Sequence, residues 1–207
     1  MTTPEHTLVG IHAAIAVGAH RRFGWMVIVL AGIASNLPDW DGLPMLVDMA
    51  RFESGHRVWG HNFFWIILSS LIVAWSQVRY HWIESVCMRS NRFLPNEFRF
   101  EKSTVIVPLF VLVLVCFSAQ AIHLPCDMVV SGGNGLSDWH IKPLWPVYNV
   151  GYVFPLIPWG DFGPTVILMT GAILLAKVPT RLSLVSAATL ICLCAYLSIR
   201  GWMRGML

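Results

Sequence analysis

Residues 104–127 read TVIVPLFVLVLVCFSAQAIHLPCD, with no Asp, Glu, Lys or Arg before Asp127. A helix needs roughly 20 apolar residues to cross a bilayer, so this run predicts a transmembrane helix over 104–124. It closes on His123-Leu-Pro-Cys-Asp127, and a four-residue spacing sets an imidazole and a carboxylate on one face of a helix or its last turn. Both are then within reach of one metal ion. The rest of the composition agrees with a membrane fold. Hydrophobic residues make up 56% of the 207 and charged residues only 12%, against roughly 25% charged in a soluble domain. Mean hydropathy is +0.64. A chain of this length, without internal repeats, has room for a single membrane-embedded domain over 1–207. The net charge of +3 is too small to attract nucleic acid, and the basic residues fall in short loops instead of along a stripe.

Working outward, residues 5–20 and 25–37 predict two short helices separated at Gly24, a hairpin too short to span squarely. Pro38 stops the second, because the residue before proline is disfavoured in helix. The N-terminus lacks the features of a cleaved secretory signal, so the first helix is expected to be retained. A polar loop over 38–60 leads to a helix over 61–78. The following stretch, 79–103, carries Arg79, Arg89, Arg92, Arg99 and Lys102, as cytoplasmic loops do. After the 104–124 helix, residues 125–163 are dense in Gly, Pro and Trp, including Ser131-Gly-Gly-Asn-Gly135. They predict an ordered extramembrane loop at the interface, a wall or lid over the site. Helices over 164–178 and 183–199 form a C-terminal pair. The fold class is therefore all-α and polytopic: four transmembrane helices plus a short N-terminal helical hairpin.

Two further clusters share the chemistry of His123 and Asp127. They are Asn36-Leu-Pro-Asp-Trp-Asp-Gly42, with Asp39 and Asp41, and Gly55-His-Arg-Val-Trp-Gly-His-Asn62, with His56 and His61. Counting crossings tests whether they meet. With 79–103 on the cytoplasmic side, His56, His61, His123 and Asp127 reach the outer side, and the N-terminal hairpin returns His6, Asp39 and Asp41 to it. Arg200 and Arg204 would also lie outside, so absolute orientation is less constrained than shared sidedness. Taken one at a time these elements have plainer roles, such as a turn at Asp39-Trp-Asp41 or a mutually bonded His123 and Asp127. Together, seven polar residues from separate segments predict one site.

Imidazole and carboxylate suit zinc, manganese or iron, and this many donors accommodates one or two ions. Asp39 or Asp41 would bridge a pair. An activated water then attacks a phosphoester, with Asp39, Asp41 or Asp127 taking the proton. Arg57 and Lys142 are candidates to hold the anionic group. Trp139, Trp145 and Trp159 of the long loop are candidates to admit a lipid-like substrate from the bilayer. An amide bond suits the same chemistry. The competing reading is a divalent-metal transporter, or a metal-binding membrane protein without hydrolytic activity. His12, His20, His81 and His140 have no carboxylate at ligand spacing and are set aside. So are the five cysteines, Cys126 included, which form no C-x-x-C.

These motifs resemble those of the YdjM-type family of membrane-bound metal-dependent hydrolases. The likeness runs from His6 through Leu37-Pro-Asp-Trp-Asp41 and Gly55-His-Arg-Val-Trp-Gly-His61 to His123-Leu-Pro-Cys-Asp127 and Leu144-Trp-Pro146. It implies a multi-pass protein of the bacterial cytoplasmic (inner) membrane and a metal-dependent hydrolase, without naming a substrate. Two positions depart from the pattern: Gly42 where many members have His, and Asn62 where Ser is common. The His-x-x-x-Asp element is also similar, more distantly, to one in zinc-dependent phospholipase C, which implies a phospholipid or another phosphoester.

Overall fold

A computed structural model describes residues 1–93, 105–132 and 138–207, apart from the side chain of Glu53. Arg99 and Lys102 of the basic stretch, residue 104 of the expected span and residues 133–135 of the Gly-rich segment lie outside the described residues. The described part is helical, with only two isolated β-bridges.

Helix α1 (Thr3–Ala16) starts at Thr2, which forms a capping box with Glu5: the Thr2 N–H donates to Glu5 Oε2 at 2.7 Å. A break at Val17-Gly18 separates it from α2 (Ala19–Phe23), and the expected 5–20 helix is thereby two elements. Helix α3 (Met26–Ala34) runs back along α1. At their contact, a side chain on Gly10 would meet the Ala31 carbonyl at 2.8 Å and Ser35 at 2.9 Å. Only a residue without a side chain permits this approach.

A 3-10 helix over Leu37–Leu46 carries the Asp39 and Asp41 cluster, and α4 (Met49–Gly55) follows it. Helix α5 (Phe63–Tyr80) begins where Asn62 caps it, accepting from the Trp65 N–H at 2.8 Å. Asparagine caps as well as serine does, which accounts for Asn62 as a structural departure from the family pattern. Within the basic stretch, α6 (Trp82–Ser90) is a short helix. Helix α7 (Leu109–Met128) extends past the expected end at 124, so His123 and Asp127 both lie on it. Helices α8 (Gly163–Lys177) and α9 (Leu182–Met203) close the chain.

Helix α7 packs between α5 and α3, and α1 lies against α3, α7, α8 and α9. Their meeting surfaces form the main core, with Val27, Leu30, Ala34, Leu112 and Cys116 buried. Three described segments are long and apolar enough to cross a membrane: Phe63–Tyr80, Leu109–Met128 and Pro179–Met203. Helix α8, at 15 residues, is shorter than such a span. The chain between α7 and α8 is pinned to the end of α7. Phe154 N–H donates to the Met128 carbonyl at 2.9 Å and Ile157 N–H to that of Val129 at 3.1 Å.

Candidate metal centre

The centre is built where the start of α5 meets the end of α7. Gly60 makes the approach of the 56–62 loop to the 3-10 helix possible, since a Cβ there would lie 1.8 Å from the Pro38 carbonyl oxygen. That contact delivers His61 from one side and Asp39 from the other. Four atoms converge: His61 Nε2, His123 Nε2, Asp39 Oδ1 and Asp127 Oδ2. The two imidazole nitrogens are 3.0 Å apart. His123 Nε2 is 3.3 Å from Asp39 Oδ1 and 3.5 Å from Asp127 Oδ2, and His61 Nε2 is 3.6 and 3.3 Å from the same two oxygens. Metal–ligand bonds of about 2.0–2.1 Å in a tetrahedron put neighbouring ligand atoms roughly 3.3 Å apart, the spacing seen here.

The tautomers strengthen this fit. His123 Nδ1 lies 2.6 Å from the Ser35 carbonyl, which can only accept, so Nδ1 carries hydrogen. His61 Nδ1 lies 3.0 Å from Asp41 Oδ2 and is likewise the donor. When neutral, both rings therefore aim Nε2 lone pairs at each other across 3.0 Å, an arrangement that needs a cation, either a proton or a metal ion. His6 adds a further donor. Its Nε2 is 2.9 Å from Asp127 Oδ1, and its ring stacks on His123 with centroids 3.6 Å apart. His6, Asp39, His123 and Asp127 offer ligand atoms all within 4.8 Å of one another. Asp127 is the hub: Oδ1 faces His6 and the Met1 amino group, while Oδ2 faces His61, His123 and Arg57.

Further contacts hold these side chains in place. Asp41 accepts from Gly60 N–H at 2.8 Å, binds His61 Nδ1, and reaches His56 Nδ1 at 3.2 Å. Burial disfavours its charge, but His61 and His56 outweigh burial and hold the carboxyl well below the usual range. Burial likewise opposes a charged His61, yet Asp41 and Asp127 prevail and raise it to about 9. For Asp39, burial is overcome by the hydrogen bond and charge of His123, and its carboxyl is lowered. His56 thus stands behind Asp41, stacked on Phe52 at 4.7 Å. A Cβ on Gly42 would come within 3.7 Å of His56 Nδ1, so His56 occupies the space beside that second departure.

The model of the YdjM inner membrane protein family matches residues 1–207. The chain belongs to this family. No curated protein and no solved structure matches it. In this YdjM family member, Arg57 Nη1 donates to the Asp127, Val130 and Trp139 carbonyls at 3.0, 3.1 and 3.4 Å, and Nε lies 3.2 Å from Asp127 Oδ2. Fully buried and in the left-handed region at φ 60°, it ties the end of α7 to the following loop. Lys142 and Trp145 are partly exposed on that loop, flanking Pro143, whose carbonyl accepts from Phe63 N–H at 2.9 Å, and Trp139 is buried against Phe52 and His56. His12 is bonded to Ser186 at 3.2 Å, remote from the cluster. Sequence reasoning did not find the Ser35 carbonyl, because a main-chain acceptor leaves no mark on residue type.

Proposed function

We propose that this chain is a membrane-bound metal-dependent hydrolase acting on a phosphoester of a lipid or another membrane-associated molecule. The observation that carries the reading is the pair of opposed Nε2 atoms, 3.0 Å apart and flanked by the Asp39 and Asp127 oxygens. His61, His123, Asp39 and Asp127 would hold a first divalent ion, zinc before manganese or iron. His6 and Asp127 Oδ1 would contribute to holding a second. Such an ion supplies Lewis acidity that brings the pKa of a water near 7 and neutralises charge on a phosphoryl oxygen.

The remaining work falls to the chain. Asp39 is the most accessible member of the set, with 24% of its side chain accessible against 0–2% for His6, His61, His123 and Asp127. It faces the incoming substrate, and its second oxygen is the acceptor for the proton of the attacking water. Asp41 and Ser35 fix the tautomers of His61 and His123. Arg57 holds Asp127 in place and acts on substrate only through it. Lys142 and Trp145 contribute through the 138–162 segment, which walls the site. In the membrane, α8 completes a fourth crossing beside the three long spans, and the centre faces the extracytoplasmic side.

Ligands at the ends of α5 and α7, instead of mid-span along a pathway, favour hydrolysis over transport. The test is turnover of long-chain phospholipids and isoprenyl phosphates by metal-loaded protein in nanodiscs. Release of product by the wild type, abolished in Asp39→Asn, is expected; equal rates in both would reject the assignment.

A further inference from the structure

Asp39 is the most accessible member of the cluster, at 24% of its side chain, and the segment that carries it has an unusual outer surface. Leu43, Met45, Leu46, Val47 and Met49 are each more than half exposed, Val47 at 90%. Residues 42–50 contain one charge, Asp48. A contiguous apolar patch on a connecting segment marks an interaction surface. What it meets is indicated by the surface it continues. Trp40 of the same segment packs against Trp65 with ring centroids 5.1 Å apart and lies 6.4 Å from Trp59. Trp65 sits in the first turn of α5, beside exposed Phe63, Phe64, Ile67 and Leu68 of a membrane-spanning helix. Indole rings gather at the headgroup level of a bilayer. The apolar face of the span thus runs through a tryptophan cluster into the 3-10 segment. The surface turns polar at Asp48 and Arg51, an exposed ion pair at 3.3 Å.

We propose that residues 43–47 insert among the acyl chains of the leaflet on the site's side and form an apolar collar beside Asp39. The substrate is then a phosphoester whose hydrocarbon tail stays in the bilayer while its phosphate reaches the centre. The substrate class rests on the hydrolase reading above; the insertion does not.

Two measurements separate the two. First, p-benzoylphenylalanine is placed at Val47, with Ile67 on α5 as a lipid-facing control, and the full chain is irradiated in phosphatidylcholine nanodiscs and weighed by intact-protein mass spectrometry. A phospholipid adduct at both positions is the expected result. An adduct at Ile67 with none at Val47, or crosslinking of Val47 to a second copy of the chain, overturns the collar. Second, Leu46→Glu/Val47→Glu is compared with wild type on a nanodisc-embedded dioleoyl phosphoester and on water-soluble bis(p-nitrophenyl) phosphate. The double variant should keep its metal content, lose at least about tenfold on the embedded probe because charge is costly near hydrocarbon, and stay within about twofold on the soluble one, as surface changes that remove no buried contact do. Equal losses on both probes overturn the collar's role in delivery. If wild type turns over neither probe, the substrate half of the proposal falls with the hydrolase reading, and the crosslink still decides insertion.

Discussion

Two imidazole lone pairs 3.0 Å apart govern how the centre responds to protons. His61, raised to about 9 from 6.5, is charged in the metal-free protein at neutral pH. That charge contributes stability that is complete below pH 6.5 and is lost as pH rises toward 9, so the metal-free melting temperature should fall across this interval. Metal binding runs the other way, because it must displace the proton from Nε2. Affinity measured by competition with a chelator should rise up to roughly tenfold per pH unit between 6.5 and 8.5, one proton being released per ion. A flat profile would contradict the assignment of His61 as a ligand. Asp41→Asn removes the group that orients and charges His61. It should weaken metal binding by about 10–100-fold while leaving the fold intact by circular dichroism. His123 and Asp127 were legible in the sequence because i,i+4 spacing on a helix is local geometry. The placement of His56 behind Asp41 was not, since it depends on a left-handed turn at Arg57 and a close approach at Gly60 that no periodicity encodes.

At the scale of the element, the centre depends on how α5, α7, α1 and α3 are held together. Ser69 donates to Gln120 Oε1 at 2.8 Å, and Gln120 Nε2 donates to Ser70 at 2.9 Å, a buried link between α5 and α7 one turn before His123. Gln120→Leu should cost on the order of 1 kcal/mol in unfolding measurements, the range of interhelical hydrogen bonds in membranes, and reduce metal affinity with every ligand present. Gly10→Ala acts from the opposite side. The new methyl group presses on Ser35, whose carbonyl orients His123, so it too should lower metal affinity without touching a ligand. If metal binding is unchanged while stability drops by about 1–3 kcal/mol, the α1–α3 contact is purely structural. The helices themselves were readable from apolar runs and proline positions. Their ends were less so: α7 continues through Pro125 to Met128, and the first helix breaks at Gly18 instead of reaching 20.

For the whole molecule, crossing parity anticipated that residues from distant segments share one side. In the fold all seven form a single connected network, from His6 through Asp127, His123, His61 and Asp39 to Asp41 and His56. Parity is insensitive to which surfaces touch, and so is residue chemistry: Arg57, a candidate for the anionic group by its guanidinium, lies in the fold against the main-chain carbonyls of Asp127 and Val130. The most direct measurement is the metal content of the detergent-purified protein by inductively coupled plasma mass spectrometry, for wild type beside His123→Ala and Asp127→Ala. One or two divalent transition-metal ions per wild-type chain, lost from both variants while each remains folded, is the predicted result. Wild-type protein that holds no ion, even after reloading at pH 8, would contradict the metal centre.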